Sequence, residues 1–238
     1  MVKNKLDRFA EMETLHNVVQ VPFDEVFHKD FKYKGNWKQD FFMNNNPLVL
    51  ELGCGKGEYT VGLAKQFPGK NFLGVDIKGS RMWVGAKQAI ANNYQNVGFL
   101  RTRIELIDSF FSPDEVDEIW ITFPDPQSKK SWTKRRLTSS KFLTKYRKFL
   151  KQNGIVHLKT DNYSLFKYTY DLLKYNNLKV LLQTDNLYSS KYANEVFGIK
   201  TFYESRFLEE GLNITYLKFN IHSPHLINEP PDEEETKK

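Results

Sequence analysis

Three glycines at alternating positions follow the first long apolar segment, in the run Glu51-Leu-Gly53-Cys-Gly55-Lys-Gly57. Glycine tolerates left-handed backbone angles and has no side chain, so such a loop can turn sharply and let a ligand approach its backbone. The spacing differs from the phosphate-binding G-x-x-x-x-G-K-[ST] loop and from the G-x-G-x-x-G dinucleotide fingerprint. The pattern favours a small-molecule site, although a glycine-rich turn without a ligand fits the same residues.

An aspartate, Asp76, ends the next apolar run about 20 residues after the glycine loop, where nucleotide-binding sheets place an acid. A carboxylate at the end of a strand can accept hydrogen bonds from both hydroxyls of a ribose. Loop and acid together predict a site for an adenosine-containing cofactor, with S-adenosylmethionine and a nicotinamide dinucleotide both open. An aspartate that only caps a helix is the simpler alternative.

A third group of residues combines a carboxylate with many cations. Asp125 lies between Pro124 and Pro126, which restrict the local backbone and would hold the carboxylate in place. The cations that follow surround one aromatic residue, Trp132: they are Lys129, Lys130, Lys134, Arg135 and Arg136. Such a loop can bind phosphates and offer a ring for base stacking. A solvated loop whose tryptophan packs back on the domain is the alternative.

Alternating strand and helix patterns must position these residues. Apolar runs predict strands at 48–52, 71–76, 97–100, 118–122, 154–159, 178–183 and 214–221, with helical spacing between most of them. Because no helical pattern fills 185–201, the last two strands are expected to form an antiparallel edge. The sequence therefore predicts an α/β fold with a Rossmann-like, doubly wound, mostly parallel seven-stranded sheet. Ligands bind beyond the carboxyl ends of such strands, where the loop and both aspartates would meet.

The chain divides into three parts by composition. Residues 1–45 are polar and aromatic without a clear period, and we interpret them as an N-terminal arm with a short helix near Phe41. Residues 46–222 carry the strand and helix patterns and form the predicted domain. Residues 223–238 are acidic and contain prolines, so we expect a disordered tail.

Four motifs, in this order, resemble those of the bacterial tRNA (guanine-N7)-methyltransferases. They are the loop from Glu51 to Gly57, Phe123-Pro-Asp-Pro with Lys129 and Lys134-Arg-Arg-Leu-Thr138, the strand end Lys159-Thr-Asp161, and Thr201-Phe-Tyr-Glu204. The match covers about 48–221. It implies a class I methyltransferase fold, S-adenosylmethionine as methyl donor, and tRNA as the partner. The implied target is a guanosine of the variable loop, tRNA position 46.

The resemblance also implies roles for single residues. Cofactor binding maps to Glu51, Gly53, Gly55, Gly57, Asp76 and Asp125. Substrate binding maps to Lys129, Asp161, Thr201 and Glu204, and RNA contact to Ser131, Trp132, Thr133, Lys134, Arg135 and Arg136. Two positions depart from the family pattern. Arg103 stands where many members have an aspartate able to hold adenine, and Gln127 stands where a tryptophan is usual.

Asp125 is the candidate catalytic residue on chemical grounds. Guanine N7 has a free lone pair and needs no deprotonation, so the enzyme mainly has to align N7 with the methyl group. The guanine ring gains positive charge during transfer, and a fixed carboxylate nearby would stabilise that charge. Thr201 and Glu204 have a second explanation, because [ST]-x-x-E is also the spacing of a helix capping box.

Composition limits the remaining possibilities. The 238 residues are 40% hydrophobic with a net charge of +6, which fits one domain and favours a polyanionic partner. One cysteine cannot form an intrachain disulfide or a multi-thiolate site, and the histidines lack ligand spacing, so no metal is expected. No apolar run suits a membrane helix or secretory signal, so we expect no membrane partner and a cytoplasmic location.

Several alternatives stay open at this point. A nicotinamide-dependent oxidoreductase would explain the glycine loop and Asp76, but the hydride-transfer residues that it needs are not visible. A non-catalytic RNA-binding protein would explain the basic loop alone. A methyltransferase acting on another RNA or on protein is the nearest alternative, because one fold serves many substrates. Monomer and homodimer are equally compatible with the sequence.

Overall fold

One mixed sheet organises the chain, and the computed structural model describes residues 4–196 and 198–231. The strands are Val18–Gln20 (β1), Leu48–Leu52 (β2), Asn71–Asp76 (β3), Val97–Arg101 (β4), Val116–Thr122 (β5), Leu150–Thr160 (β6), Val180–Thr184 (β7) and Thr215–Phe219 (β8). Their order across the sheet is β1-β4-β3-β2-β5-β6-β8-β7. From β2 the chain adds β3 and β4 on one side of the sheet, and then β5 and β6 on the other side. Ligands in open α/β sheets bind at such a switch point, here between β2 and β5.

The predicted antiparallel edge is confirmed. β8 runs antiparallel to both β6 and β7, while the strands from β1 to β6 pair in parallel. Residues near the carboxyl ends of the central strands are level with one another. Leu52 pairs with Val75 on β3 and with Ile121 on β5, and Thr122 pairs with Lys159 on β6. The loops that follow these strands therefore start from one edge of the sheet.

Among the described residues the sheet has eight strands, not the expected seven, because the N-terminal arm adds one. β1 pairs in parallel with β4, with Val19 opposite Leu100. Other arm residues are also buried, including Met12 and Trp37. Residues 1–45 were expected to lie outside the domain because a three-residue, half-buried strand leaves no period in the sequence. The helix predicted near Phe41 is a single π-helical turn, Trp37–Phe41.

Helices cover both faces of the sheet. They are Lys5–Met12 (α1), Phe23–Val26 (α2), Glu58–Gln66 (α3), Gly79–Ala91 (α4), Ser140–Tyr146 (α5), Tyr163–Tyr175 (α6) and Phe202–Glu209 (α7). Successive residues of β2 face opposite cores: Leu50 belongs to the core that includes residues of α5 and α6, and Val49 to the core that includes residues of α1, α3 and α4. The doubly wound architecture is therefore confirmed. Within residues 4–196 and 198–231, none of the helices has the length and apolar character needed to span a bilayer.

The segment from residue 223 to 231 packs on the domain, so the expectation of a disordered tail is wrong for this part. Ile227 is buried, and the Glu229 carboxylate accepts a hydrogen bond from the Tyr168 hydroxyl at 2.7 Å. Acidic composition suggested a solvated segment, but the packing of Ile227 and the bonding of Glu229 hold it against the domain. Residues 232–238 lie outside the described part of the chain.

Candidate active site

A cavity of about 450 Å³ lies at the carboxyl ends of β2, β3, β5 and β6. It brings together residues that are far apart in the sequence. Of the residues singled out above, those lining it are Glu51, Gly53, Gly55, Asp76, Asp125, Asp161 and Thr201. Gly57, Lys129, Glu204 and residues 131–136 do not line it. The cavity joins the glycine loop to both strand-end acids, as the sequence predicts.

The glycine loop is shaped by left-handed backbone angles at all three glycines. Gly53, Gly55 and Gly57 have φ values of 79°, 55° and 73°. A β-carbon on Gly55 would meet no atom within 4 Å, so the backbone there faces open space. A β-carbon on Gly57 would lie 2.5 Å from the ring of Phe99. Gly55 therefore leaves room for a ligand, whereas Gly57 allows the loop to pack against the sheet.

Asp76 ties the glycine loop to the end of β3. One carboxylate oxygen accepts from the Gly55 N–H at 2.9 Å, and the other accepts from the Lys78 N–H at 2.8 Å. Each oxygen has a second lone pair, so both can also accept a ribose hydroxyl. A glycine backbone open to the cavity and a fixed acid beside it fit an adenosine-bearing cofactor such as S-adenosylmethionine.

Glu51 lies beneath the loop and is only 4% exposed. Its carboxylate accepts hydrogen bonds from the Thr60 N–H at 2.8 Å, from the Thr60 hydroxyl, and from the Thr122 hydroxyl at 2.6 Å. Burial outweighs these bonds and raises the pKa of Glu51 to about 7, and Asp76 nearby contributes in the same direction. The site therefore contains an acid that titrates near neutral pH.

Asp125 projects from a constrained turn after β5. Phe123 and Gln127, on either side of the Pro-Asp-Pro run, both have φ of 48°, a left-handed value that costs a non-glycine residue roughly 1–3 kcal/mol. The turn is held by bonds from the Phe123 N–H to the Lys159 carbonyl at 2.8 Å and from the Gln127 N–H to the Asp125 carboxylate at 3.0 Å. The exposed carboxylate of Asp125 is thus fixed at the cavity wall.

The wall opposite Asp76 is formed by the segments after β6 and before α7. Asp161 is half-buried, and burial raises the pKa of its carboxyl. Thr201 is the N-cap of α7 and forms a capping box with Glu204, in which each side chain accepts from the other residue's backbone N–H. The capping function that the spacing allowed is therefore present. Glu204 does not line the cavity and is fully buried beside Lys159.

The basic loop forms a short 3₁₀ helix, Lys130–Arg135, next to the cavity. The ammonium of Lys129 and the guanidinium of Arg135 lie 4.7 and 5.0 Å from the centre of the Trp132 ring. Lys134 and Arg135 are exposed, whereas Arg136 is half-buried with its guanidinium 4.2 Å from the Tyr168 ring. The cations are thus not equivalent, and Arg136 packs back on the domain.

A neighbouring cavity, also of about 450 Å³, connects the basic loop to the first one. The two share Asp76, Asp125 and Leu137, and Arg135 lines the second. Ile77 and Ile104 provide apolar surface in this second cavity. These apolar side chains can enclose a planar ring such as adenine, even though Arg103 stands where many family members have an adenine-binding aspartate. Arg103 also lines this second cavity, and its guanidinium lies 5.8 Å from the centre of the Phe23 ring of the N-terminal arm.

Other lining residues gave no signal in the sequence. Lys56, Arg81, Tyr203 and Phe207 reach the first cavity from the glycine loop, α4 and α7. Which of these side chains reach the cavity depends on how the loop and the helices are oriented, and sequence spacing alone does not fix that orientation.

Lys159 does not line the cavity, but its position did carry a signal: a lysine inside an apolar strand indicates a buried charge that is paired. No cluster of three or more histidine, cysteine, aspartate or glutamate residues suited to a metal occurs in the described ranges.

Comparison with known proteins places the chain in a family. A family model described as a putative methyltransferase matches residues 45–217. A protein of Bacteroides thetaiotaomicron named tRNA (guanine-N(7)-)-methyltransferase is 50% identical over 97% of this chain and 90% of its own length. A protein of Christiangramia forsetii with the same name is 52% identical over 92% of this chain and 98% of its own length.

Among solved structures, the chain is similar to the 16S rRNA methyltransferase KamB, with a TM-score of 0.58. The two are 17% identical, and the match covers 75% of this chain and 89% of KamB. At that identity the likeness concerns the fold, which agrees with the doubly wound sheet and its cavity. Since the relatives named above share half of their residues with this chain over nearly its full length, the chain belongs to the tRNA (guanine-N(7)-)-methyltransferase family.

Proposed function

We propose that this protein transfers the methyl group of S-adenosylmethionine to N7 of a guanine in tRNA, and that the target is the variable-loop guanosine at position 46. One observation carries the proposal: a single cavity joins the glycine loop, Asp76 and Asp125 to Asp161 and Thr201. Family membership supports the reaction and the RNA class. Because its substrate would be tRNA, we also propose a cytoplasmic location.

The cofactor would occupy the side of the cavity formed by the glycine loop and Asp76. S-adenosylmethionine supplies an electrophilic methyl group on a sulfonium. Asp76 would accept from the ribose hydroxyls, and Glu51 would stabilise positive charge at the amino-acid end. Gly55 would provide the open backbone against which that end lies. Ile77 and Ile104 would enclose the adenine in the neighbouring cavity.

The acceptor guanine would occupy the side formed by Asp125, Asp161 and Thr201. Asp125 would accept from the N1–H and N2–H groups of the base and stabilise the positive charge that develops on it. No proton has to leave N7, so none of these side chains needs to act as a strong base. The half-buried Asp161 is the second candidate for the same contact.

The RNA backbone would lie on the basic loop. Lys134 and Arg135 are exposed beside the cavity and would bind phosphates, with Lys129 in support. Arg136 packs on Tyr168 and would fix the loop to the domain. The guanosine must leave its stack to reach the cavity, as in other enzymes that modify bases.

Calorimetry and methyl transfer test this proposal against its alternatives. S-adenosylhomocysteine should bind and NAD should not, which separates methyl transfer from hydride transfer. Labelled S-adenosylmethionine should then mark unmodified tRNA but not ribosomal RNA or protein. Labelling of protein or of ribosomal RNA in preference to tRNA would contradict the proposed substrate.

A further inference from the structure

A fully buried ion pair next to the site does not line the cavity. Lys159, the penultimate residue of β6, and Glu204, in the first turn of α7, both have fully buried side chains. The Lys159 ammonium lies 2.7 Å from a carboxylate oxygen of Glu204. Charged side chains are almost never buried unless they are paired, so each member of this pair depends on the other to remain in the core.

Both members are engaged with the protein. One oxygen of Glu204 also accepts from the Tyr188 hydroxyl at 2.5 Å, and the other accepts from the Thr201 N–H at 3.3 Å. The Lys159 ammonium donates to the Ile199 carbonyl at 3.2 Å. Glu204 therefore has its two oxygens committed within the fold and does not face a base in the cavity.

Lys159 connects the three segments that form the acceptor side. Its carbonyl accepts from the Phe123 N–H at 2.8 Å, two residues before Asp125. It precedes Asp161, the first residue after β6, by two residues. Its ammonium contacts the chain on both sides of Thr201, at the Ile199 carbonyl and at the Glu204 carboxylate. A shift of this one residue would move all three side chains that line that wall.

Stability alone does not explain such a pair. Taking two charges out of water costs about as much as their attraction returns, and an apolar pair of similar volume often stabilises a fold equally well. What the ion pair adds is direction, because its hydrogen bonds fix how α7 meets β6. A misplacement of about 1 Å at a reacting centre can lower a rate roughly 100-fold.

We propose that Lys159 and Glu204 are a positioning pair for methyl transfer, which holds Asp125, Asp161 and Thr201 in register and in which Glu204 does not contact the guanine. This inference rests on the proposed function, because it concerns the acceptor side of the same cavity. It assigns the buried pair to the chemical step and not to binding of the cofactor.

A double-mutant cycle tests the pair with Lys159→Met, Glu204→Gln and the combined variant. Burial lowers the pKa of Lys159 and Glu204 raises it, so Glu204→Gln removes a contact that favours the charged amine. The combined variant keeps similar volumes and leaves no unpaired charge. The measurements are the melting temperature, the dissociation constant for S-adenosylhomocysteine, and kcat and KM for unmodified tRNA.

A positioning pair predicts that kcat falls roughly 100-fold in each single variant and by about the same factor in the combined variant, since either change removes the shared contact. S-adenosylhomocysteine affinity should stay within about twofold and the combined variant should melt within about 5 °C of wild type. The control changes a partly exposed ion pair, Lys218→Met with Glu195→Gln, whose charged atoms lie 2.8 Å apart. Lys218 lies on β8, next to β6, and this double variant should keep the wild-type kcat.

Two results would overturn the inference. Wild-type kcat in the folded combined variant would make the pair merely structural. Multiplied losses in that variant would mean that Glu204 acts independently, as a direct guanine contact would. Wild-type protein is assayed alongside, and its failure to methylate tRNA would instead refute the proposed function.

Discussion

Two carboxylates of the site lie in opposite surroundings, and this difference separates their roles. Glu51 is buried under the glycine loop, accepts from two threonines, and has a pKa raised to about 7 by burial. Asp125 is exposed on a turn whose flanking residues have left-handed angles. The first acid is placed to respond to a bound cation, and the second to meet an incoming base.

Replacement of Asp125 by asparagine should lower turnover far more than cofactor affinity. The asparagine oxygen can still accept from the Gln127 N–H, so the turn should persist while the negative charge is lost. Loss of one fixed electrostatic contact to a transition state lowers rates by roughly 100-fold or more. Single-turnover methylation and S-adenosylhomocysteine calorimetry measure the two effects separately. Methylation at the wild-type rate would contradict the role of Asp125.

Glu51 should release a proton when a cationic cofactor binds below pH 7. In the free protein the carboxyl stays protonated up to about pH 7, whereas in the unfolded chain it ionises near its ordinary value of 4.5. The group therefore weakens the free fold as pH rises from 4.5 to 7, and a bound cation should reverse this by favouring the carboxylate. At pH 6, S-adenosylmethionine binding should release close to one proton.

Calorimetry in buffers of different ionisation enthalpy counts the protons released. Glu51→Gln is the matched control, because it keeps the shape of the side chain but cannot titrate. The variant should bind without proton release, and its affinity should not rise between pH 6 and pH 8. Equal release by the variant and the wild type would assign the proton to another group.

At the scale of elements, the basic loop should divide into two functional parts. Lys134→Gln with Arg135→Gln should weaken tRNA binding and reduce its salt slope by about 2, because two phosphate contacts are lost. Arg136→Ala should change the slope little. It should lower the free energy of unfolding by about 1 kcal/mol instead, since its guanidinium packs on Tyr168. Binding titrations across salt concentrations and thermal melts measure these effects.

The control for the loop variants is Lys65→Gln, which changes an exposed cation on α3. The buried residues of α3 belong to the core on the other face of the sheet from the basic loop. It should leave both the salt slope and the melting temperature unchanged. Salt slopes that stay equal in the Lys134–Arg135 variant and the wild type would show that the RNA follows another path.

How far the sequence predicts the elements depends on their burial. β2 and β3 are buried along most of their length and follow directly from apolar runs. β1 was missed because it has three half-buried residues without a period, and the 223–231 segment because its contacts join distant parts of the chain. The motifs predicted the cavity at the strand ends. They did not predict the buried pairing of Glu204, which depends on how α7 meets β6.

At the scale of the whole molecule, the proposed cofactor, base and phosphate sites lie at the carboxyl ends of the parallel strands. The parallel strands bring Asp76 and Asp125 to the same cavity. The antiparallel β8 lies beside β6, which carries Lys159 near its end and is followed directly by Asp161. The basic loop borders the same cavity through Arg135 and Leu137. Cofactor, base and phosphate contacts are therefore proposed on one side of the protein.

The central claim is tested most directly by identifying the modified nucleoside and its position. Purified protein, S-adenosylmethionine and an unmodified tRNA transcript are incubated, and the digested RNA is analysed by mass spectrometry. A transcript with adenosine in place of the variable-loop guanosine serves as the matched control. We predict one 7-methylguanosine, at position 46, in the first transcript and none in the second. A methyl group on another base, or equal methylation of both transcripts, would contradict the account.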